Sequence, residues 1–262
     1  MTRYTTALAA DVPFPPGIEE FYPPSLVGGA GHWLTKFTLL IWIAVAILIV
    51  FFLVAYRSPK MVPTRMQWMA ESVYGFARDR IAGDLIGHEG ARFASYLATL
   101  FCFIFVTNAF AIIPFIQISP NSHIAFPAVL AVISLVMFFW VGVRRHGFWG
   151  YLKHAMIPPA PWFVLWLLIP IEFISTFIVR PFTLAVRLFA NMFAGHMILL
   201  VFTLGGFVLL NSAVAFVKPL SVFSWLLAIA LTFLEALVII LQAYVFTVLT
   251  ASYVQGALAE DH

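Results

Sequence analysis

Residues 161–210 read PWFVLWLLIPIEFISTFIVRPFTLAVRLFANMFAGHMILLVFTLGGFVLL, with Glu172, Arg180 and Arg187 as the only formal charges. As a single α-helix this stretch would be about 75 Å long, against a bilayer hydrocarbon core of about 30 Å. It is too long for one upright span and too apolar for the surface helix of a soluble domain. The last apolar stretch, Pro219 to Val254, would reach about 54 Å and raises the same problem, so strong tilt or a break is expected in both.

The whole chain agrees with this reading. Of its 262 residues 63% are hydrophobic and 10% charged, whereas globular proteins are about half apolar and about a quarter charged. The uninterrupted apolar runs have helical length, which excludes a transmembrane β-barrel of short alternating strands. The net charge of +3 resides at membrane edges and not in a patch interleaved with aromatics, so nucleic acid is not an expected partner. The one cysteine, Cys102, lies in an apolar run and reads as a packing residue.

Upstream, a first span is expected from Phe37 to Tyr56, closed by Arg57 and Lys60. Residues 61–90 read as an amphipathic surface helix, with Met66, Met69, Val73 and Phe76 on one face and Gln67, Glu71 and Arg78 on another. A hairpin follows over 93–145: one span from Phe93 to about Ile118, with Pro114 as a possible kink or end, and another from Ile124 to Val143, stopped by Arg144 and Arg145. The expected class is an all-α polytopic membrane protein with about five crossings, a surface helix and a tilted helix pair over 161–256. Residues 1–32 read as an extramembrane tail and 33–262 as one membrane domain. Arg57, Lys60, Arg65, Arg78, Arg80 and Arg92 precede the hairpin, and Arg144, Arg145 and Lys153 follow it, so the positive-inside rule places the N-terminus outside. If each long C-terminal stretch crosses once, the five crossings put the acidic tail, Glu260 and Asp261, in the cytoplasm; a broken fourth stretch crossing twice would reverse that.

Ionisable groups at membrane depth cost several kcal/mol and normally face a protein interior or a water path. Between Pro161 and Val254 these are Glu172, Arg180, Arg187, Lys218 and Glu235, joined by His196, Asn191 and Gln242. Arg187 and Asn191 share a helix face, His196 points to the opposite side, and Glu235 and Gln242 share a face of the last helix. Arg187 is too far from either charged loop to snorkel, and nothing in its own helix neutralises Glu235. His196 reads equally as a packing histidine or a proton-exchanging group, and Glu172 as an interfacial acid or a functional one. Lys218 suits a snorkelling helix end, Arg180 a structural role, and Asn108 an interhelical hydrogen bond. Acid and imidazole groups can pass protons; a guanidinium stays charged and acts instead as an electrostatic barrier.

The run Arg180-Pro-Phe-Thr-Leu-Ala-Val-Arg187-Leu-Phe-Ala-Asn191-Met-Phe-Ala-Gly195-His196 closely resembles subunit a of F-type rotary ATP synthases. So do the stretch from Glu235 through Gln242 and the NAFAIIP run that starts at Asn108. The resemblance runs from about Trp33 to the C-terminal end. It implies a stator subunit with two offset half-channels to and from a ring of subunit c, coupling proton flow to rotation and ATP synthesis. Arg187 matches the arginine that meets each ring carboxylate and separates the half-channels, with Asn191 and Gln242 beside it. His196 and Glu235 match the pair in the non-cytoplasmic half-channel, with acid and histidine in swapped order, and Asn108 lies near them. Glu172 resembles the acid of the cytoplasmic exit, although its spacing to Arg180 is one residue longer than in the members compared. The ring, a peripheral stalk subunit b, the lipid bilayer and protons are the implied partners, and a bacterial plasma membrane the implied location. No cofactor, metal or catalytic residue is expected, and no Walker glycine loop occurs. A secondary transporter built on Glu235, Arg187 and His196 is the alternative, disfavoured by the lack of internal repeats. An intramembrane enzyme ranks lower still, since no HExxH, GxSxG or paired-aspartate motif occurs.

Overall fold

The computed structural model describes residues 17, 35–113, 116–156, 162–212 and 214–259, and every regular element among them is helical. The tail apart from Gly17, as well as Pro114, Glu260 and Asp261, lies outside the described residues. Helix α1, Lys36–Tyr56, starts where the Thr35 hydroxyl accepts the Thr38 N–H at 3.3 Å. It is apolar all round, as a span must be; only Phe37, Leu40, Ala44 and Ala55 are buried against the protein.

The next segment runs as α2, Arg65–Gly75, then widens to i→i+5 bonding over Phe76–Gly83 and tightens through Gly87–Arg92. Its buried positions are Gln67, Ala70, Ala77, Ile81, Ala82 and Gly90, whereas Met66, Met69 and Phe76 are exposed. Small residues turn toward the bundle and the methionine stripe turns away from it.

Helix α3, Ala94–Ala109, ends well before the expected Ile118. Asn121 Nδ2 donates to Thr107 Oγ1 at 2.9 Å and to Asn108 Oδ1 at 2.7 Å, and the Ser119 hydroxyl donates to Asn108 Oδ1 at 3.5 Å. A buried amide needs partners, and the Asn121 amide finds them across the turn. The bonds fold residues 119–122 back onto the end of α3. Lys36 Nζ adds a bond to the Ile116 carbonyl at 3.3 Å, and Gln117 takes a left-handed backbone, φ +48°, unusual for a non-glycine residue. Helix α4, Ala125–His146, stops at Gly147, φ +75°, where glycine permits the left-handed turn into α5, Phe148–Met156.

Helix α6, Trp162–Ile174, passes through five residues of i→i+5 bonding, Ser175–Val179, into α7, Arg180–Leu210. The slip has a local cause. The Arg180 N–H bonds the Ser175 carbonyl five residues back, and Pro181 has no N–H with which to resume the ladder. With Pro170 inside α6, this slip gives the long helix its bend. The apolar run Val164–Leu210 has 47 residues, about 70 Å. Helix α8, Pro219–Leu258, extends a run of 44 residues that begins at Ala215, about 66 Å. Both exceed twice the core thickness, so neither crosses upright. Among the described residues they are, with α1 and α4, the four helices long and apolar enough to span, and α3 is a shorter apolar helix.

One face of α8 supplies the middle of the core. Ala243, Phe246, Ala251 and Val254 pack against Leu97, Leu100 and Ile104 of α3, Leu130 and Phe138 of α4, and Leu184 and Leu188 of α7. Small residues let the helices approach, and the Thr250 hydroxyl donates to Ser134 Oγ at 3.4 Å as interhelical glue. At the other end of the pair the Trp225 indole lies where Gly206 has no side chain, and a Cβ there would overlap it. Ser224 Oγ also donates to the Phe202 carbonyl at 2.7 Å. Gly206→Ala is therefore expected to lower stability by about 1–3 kcal/mol through overpacking, read as a lower Tm of the purified chain. Adding Trp225→Leu should recover part of the loss; no recovery would mean the indole is not the obstacle.

Candidate functional site

The ionisable residues of α7 and α8 are spread along the pair in a definite order. At the end shared by the start of α7 and the finish of α8, Glu172 pairs with Arg180 at 3.5 Å and accepts from the Thr176 hydroxyl at 3.4 Å. The Arg180 guanidinium lies 5.4 Å over the Tyr253 ring. Glu172, Thr176 and Arg180 recur at four-residue intervals along one helix side, which is the signal that points to Arg180 as the partner of Glu172. Both charges are about a third exposed, so the pair is an interfacial one of modest strength.

Two turns further on, Arg187 is exposed and forms no hydrogen bond or ion pair among the described residues. Ala190, Asn191, Ala194 and Ile198 continue the same bare face. The Asn191 amide donates to Gln242 Oε1 at 2.7 Å, tying α7 to α8 beside the arginine. Gln242 is buried, and its Nε2 has no hydrogen-bond partner among the described residues.

Glu235 lies two turns before Gln242 on α8 and is 5% exposed, with neither carboxyl oxygen hydrogen-bonded among the described residues. Buried oxygens of this kind are satisfied by a proton or by water. The room for the carboxyl comes from Gly195, where a Cβ would stand 3.0 Å from Glu235 Oε1. The sequence showed Gly195 only as part of a run. Its function as space appears once α8 is laid across it.

His196 follows Gly195 and is buried on the other side of α7 from Arg187, as the nine-residue spacing requires. It lines a cavity of about 120 Å³ with Gln117, Thr203 and Thr232. Glu235 lines a second cavity, of about 170 Å³, with Asn191, Gly195 and Ile198. Leu199 stands in the wall of both. Gln117, Thr203, Thr232 and Leu199 were not legible as site residues, because the turn after α3 that brings Gln117 there is held by long-range bonds. Asn108 lies behind this turn: its carbonyl accepts the Ala111 N–H at 3.0 Å, and Ala111 borders the His196 cavity. The Asn108 Nδ2 is buried without a partner among the described residues. The structure thus brings Arg187, Asn191 and Gln242 together, sets Glu235 and His196 on adjoining cavities, and leaves Glu172 apart at the opposite end. Among the described residues no cluster of side chains suits a metal ion.

Fold and site define a polytopic membrane protein with ionisable groups ranked along a pair of over-long helices. The chain belongs to the ATP synthase A chain family, whose sequence profile matches residues 38–255. It is 44% identical over 261 residues to ATP synthase subunit a of Nocardioides sp., covering 95% of this chain and 94% of that one. It is 43% identical to the same subunit of Rhodococcus erythropolis, covering 100% and 96%. To that of Parafrankia sp. it is 47% identical, covering 83% and 75%.

Proposed function

We propose that this chain is the proton-translocating stator subunit of a bacterial ATP synthase, and that the bare face of α7 and α8 is the surface against which the ring of subunit c turns. The observation that carries the proposal is Arg187, a charged group in the middle of an apolar helix on a face that none of the described residues covers. A guanidinium left in lipid costs several kcal/mol, so a partner carrying negative charge must cover it. Ala190 and Ala194 on the same face leave room for another helix to come close.

In this reading protons come in through the His196 cavity, pass to Glu235 and reach a ring carboxylate on the far side of the Gly195 gap. Asn108 and the turn after α3 line the outer part of this path. After a turn of the ring, the carboxylate meets Arg187, which favours its ionised form, and the proton leaves toward Glu172 at the opposite end. Asn191 and Gln242 hold α7 and α8 in register beside the arginine. The end that carries Arg92, Arg144 and Arg145 faces the cytoplasm by the positive-inside rule, which places the N-terminus outside and the C-terminus inside the plasma membrane. A peripheral stalk subunit b completes the stator. Chemistry on nucleotide takes place on other subunits. The test is ATP-driven acidification of vesicles holding the complex with and without this chain. Proton movement is expected only with it. ATP-linked proton movement that persists unchanged without the chain overturns the reading and favours a transporter.

A further inference from the structure

The end of the molecule opposite the His196 cavity holds a cleft of about 520 Å³ between the start of α3, the end of α4 and the end of α8. Among the described residues its polar wall is Glu89, Arg92, Arg144 and Arg145. Arg145 and Arg92 reach the Glu89 carboxylate at 3.5 and 3.9 Å, and the Arg144 guanidinium lies 5.1 Å over the Trp140 ring. Among the described residues Arg92 has only the 3.9 Å contact with Glu89 and Arg144 only the Trp140 ring, so both guanidinium groups have donors to offer an anion. Its apolar wall includes Met137, Trp140 and Leu258. From Trp140 an exposed stripe descends α4 through Val136, Ile133, Val132 and Val129, spaced so as to share one helix side.

We propose that this cleft is a binding site for an anionic phospholipid, whose phosphate is held by Arg92 and Arg144 while its acyl chains lie along the α4 stripe. A guanidinium pairs with phosphate oxygens through parallel N–H donors, and basic pockets at helix ends are the usual means of holding acidic headgroups. A free phosphate would use only the upper half of the site; the stripe directly beneath the arginines selects the lipid. Glu89 holds Arg145 to the back of the cleft and limits its charge. The proposal stands on this end's own geometry and does not depend on the direction of proton flow.

The test is native mass spectrometry of the full chain in neutral detergent, titrated with phosphatidylglycerol and with phosphatidylcholine of matched chains. Phosphatidylglycerol is expected to bind preferentially. The double variant Arg92→Gln, Arg144→Gln should weaken it about 30-fold, since each basic residue at an anionic surface contributes a factor of about five. Glu89→Gln should tighten it by about fivefold, a change that misfolding cannot produce. Equal binding of the two lipids, an unchanged double variant, or no tightening in Glu89→Gln overturns the proposal. Displacement by millimolar inorganic phosphate, without regard to acyl chains, overturns it in favour of a simple anion site.

Discussion

Arg187→Ala is expected to abolish ATP-driven proton pumping by the assembled complex while the passive proton conductance of the same vesicles is retained or rises. Both effects come from one charge. In the proposed cycle the guanidinium draws a ring carboxylate into its ionised form and repels a cation that tries to pass along α7 without using the ring. Without it the ring carboxylate has no counter-charge, and nothing separates the two paths. The variant also loses a side chain that makes no hydrogen bond or ion pair among the described residues, so the fold of the chain itself should survive. Subunit composition of the purified complex checks this. Arg187→Lys keeps the charge but loses the planar fork and gains a group that can release its proton, so it should restore little coupling. Normal pumping by Arg187→Ala sinks the proposed mechanism.

Glu235→Gln is expected to lower both pumping and passive conductance, by about 10²-fold, the size of effect a positioned proton-transfer group supplies. An amide has nearly the shape of the carboxyl and fits beside Gly195, but it cannot take up and release a proton. Passive conductance therefore falls here, whereas in Arg187→Ala it is retained or rises. In the double variant the block should dominate, because opening the barrier between two paths matters little when one of them no longer conducts. Such non-additivity is what two groups in series produce, and two independent sites would not. Glu235→Asp, with the carboxyl withdrawn by one methylene, should retain part of the flux. Passive flux measured across a potassium diffusion potential, with subunit content matched, gives the comparison. A leak in Glu235→Gln as large as in the native complex would remove Glu235 from the path.

The spans and the site were legible to different extents, for a physical reason. Apolar length identified α1, α4 and the two over-long helices, since lipid demands it of any span. Helical spacing placed Arg187 with Asn191 and set His196 behind them. Which apolar face turns inward was another matter. Lipid and protein interior are equally apolar, so a stripe of Met66, Met69 and Phe76 says nothing about burial, while Gln67, Ala70 and Ala77, small or polar, mark the packed side. The early end of α3 depends on Asn121 reaching Asn108 across a turn, a contact with no local signature. Likewise Glu172 and Arg180 meet on the side where the helix slips before Pro181, and Gly195 becomes informative only when Glu235 of another helix is set against it.

The shared wall of the two cavities has a bearing on speed. Among the described residues Leu199 is the side chain common to both cavities, so in the proposed cycle its rotamer is the local element between the histidine and the carboxyl. Rotamer changes of exposed side chains take picoseconds to nanoseconds, whereas collective helix movements take microseconds to milliseconds. In the proposed cycle, put in electrical language, the inlet would be two small capacitors joined through a resistor that fluctuates faster than any mechanical stroke. The current of the proposed inlet would then be a time average over that flicker, with the pace set downstream, by the moving parts.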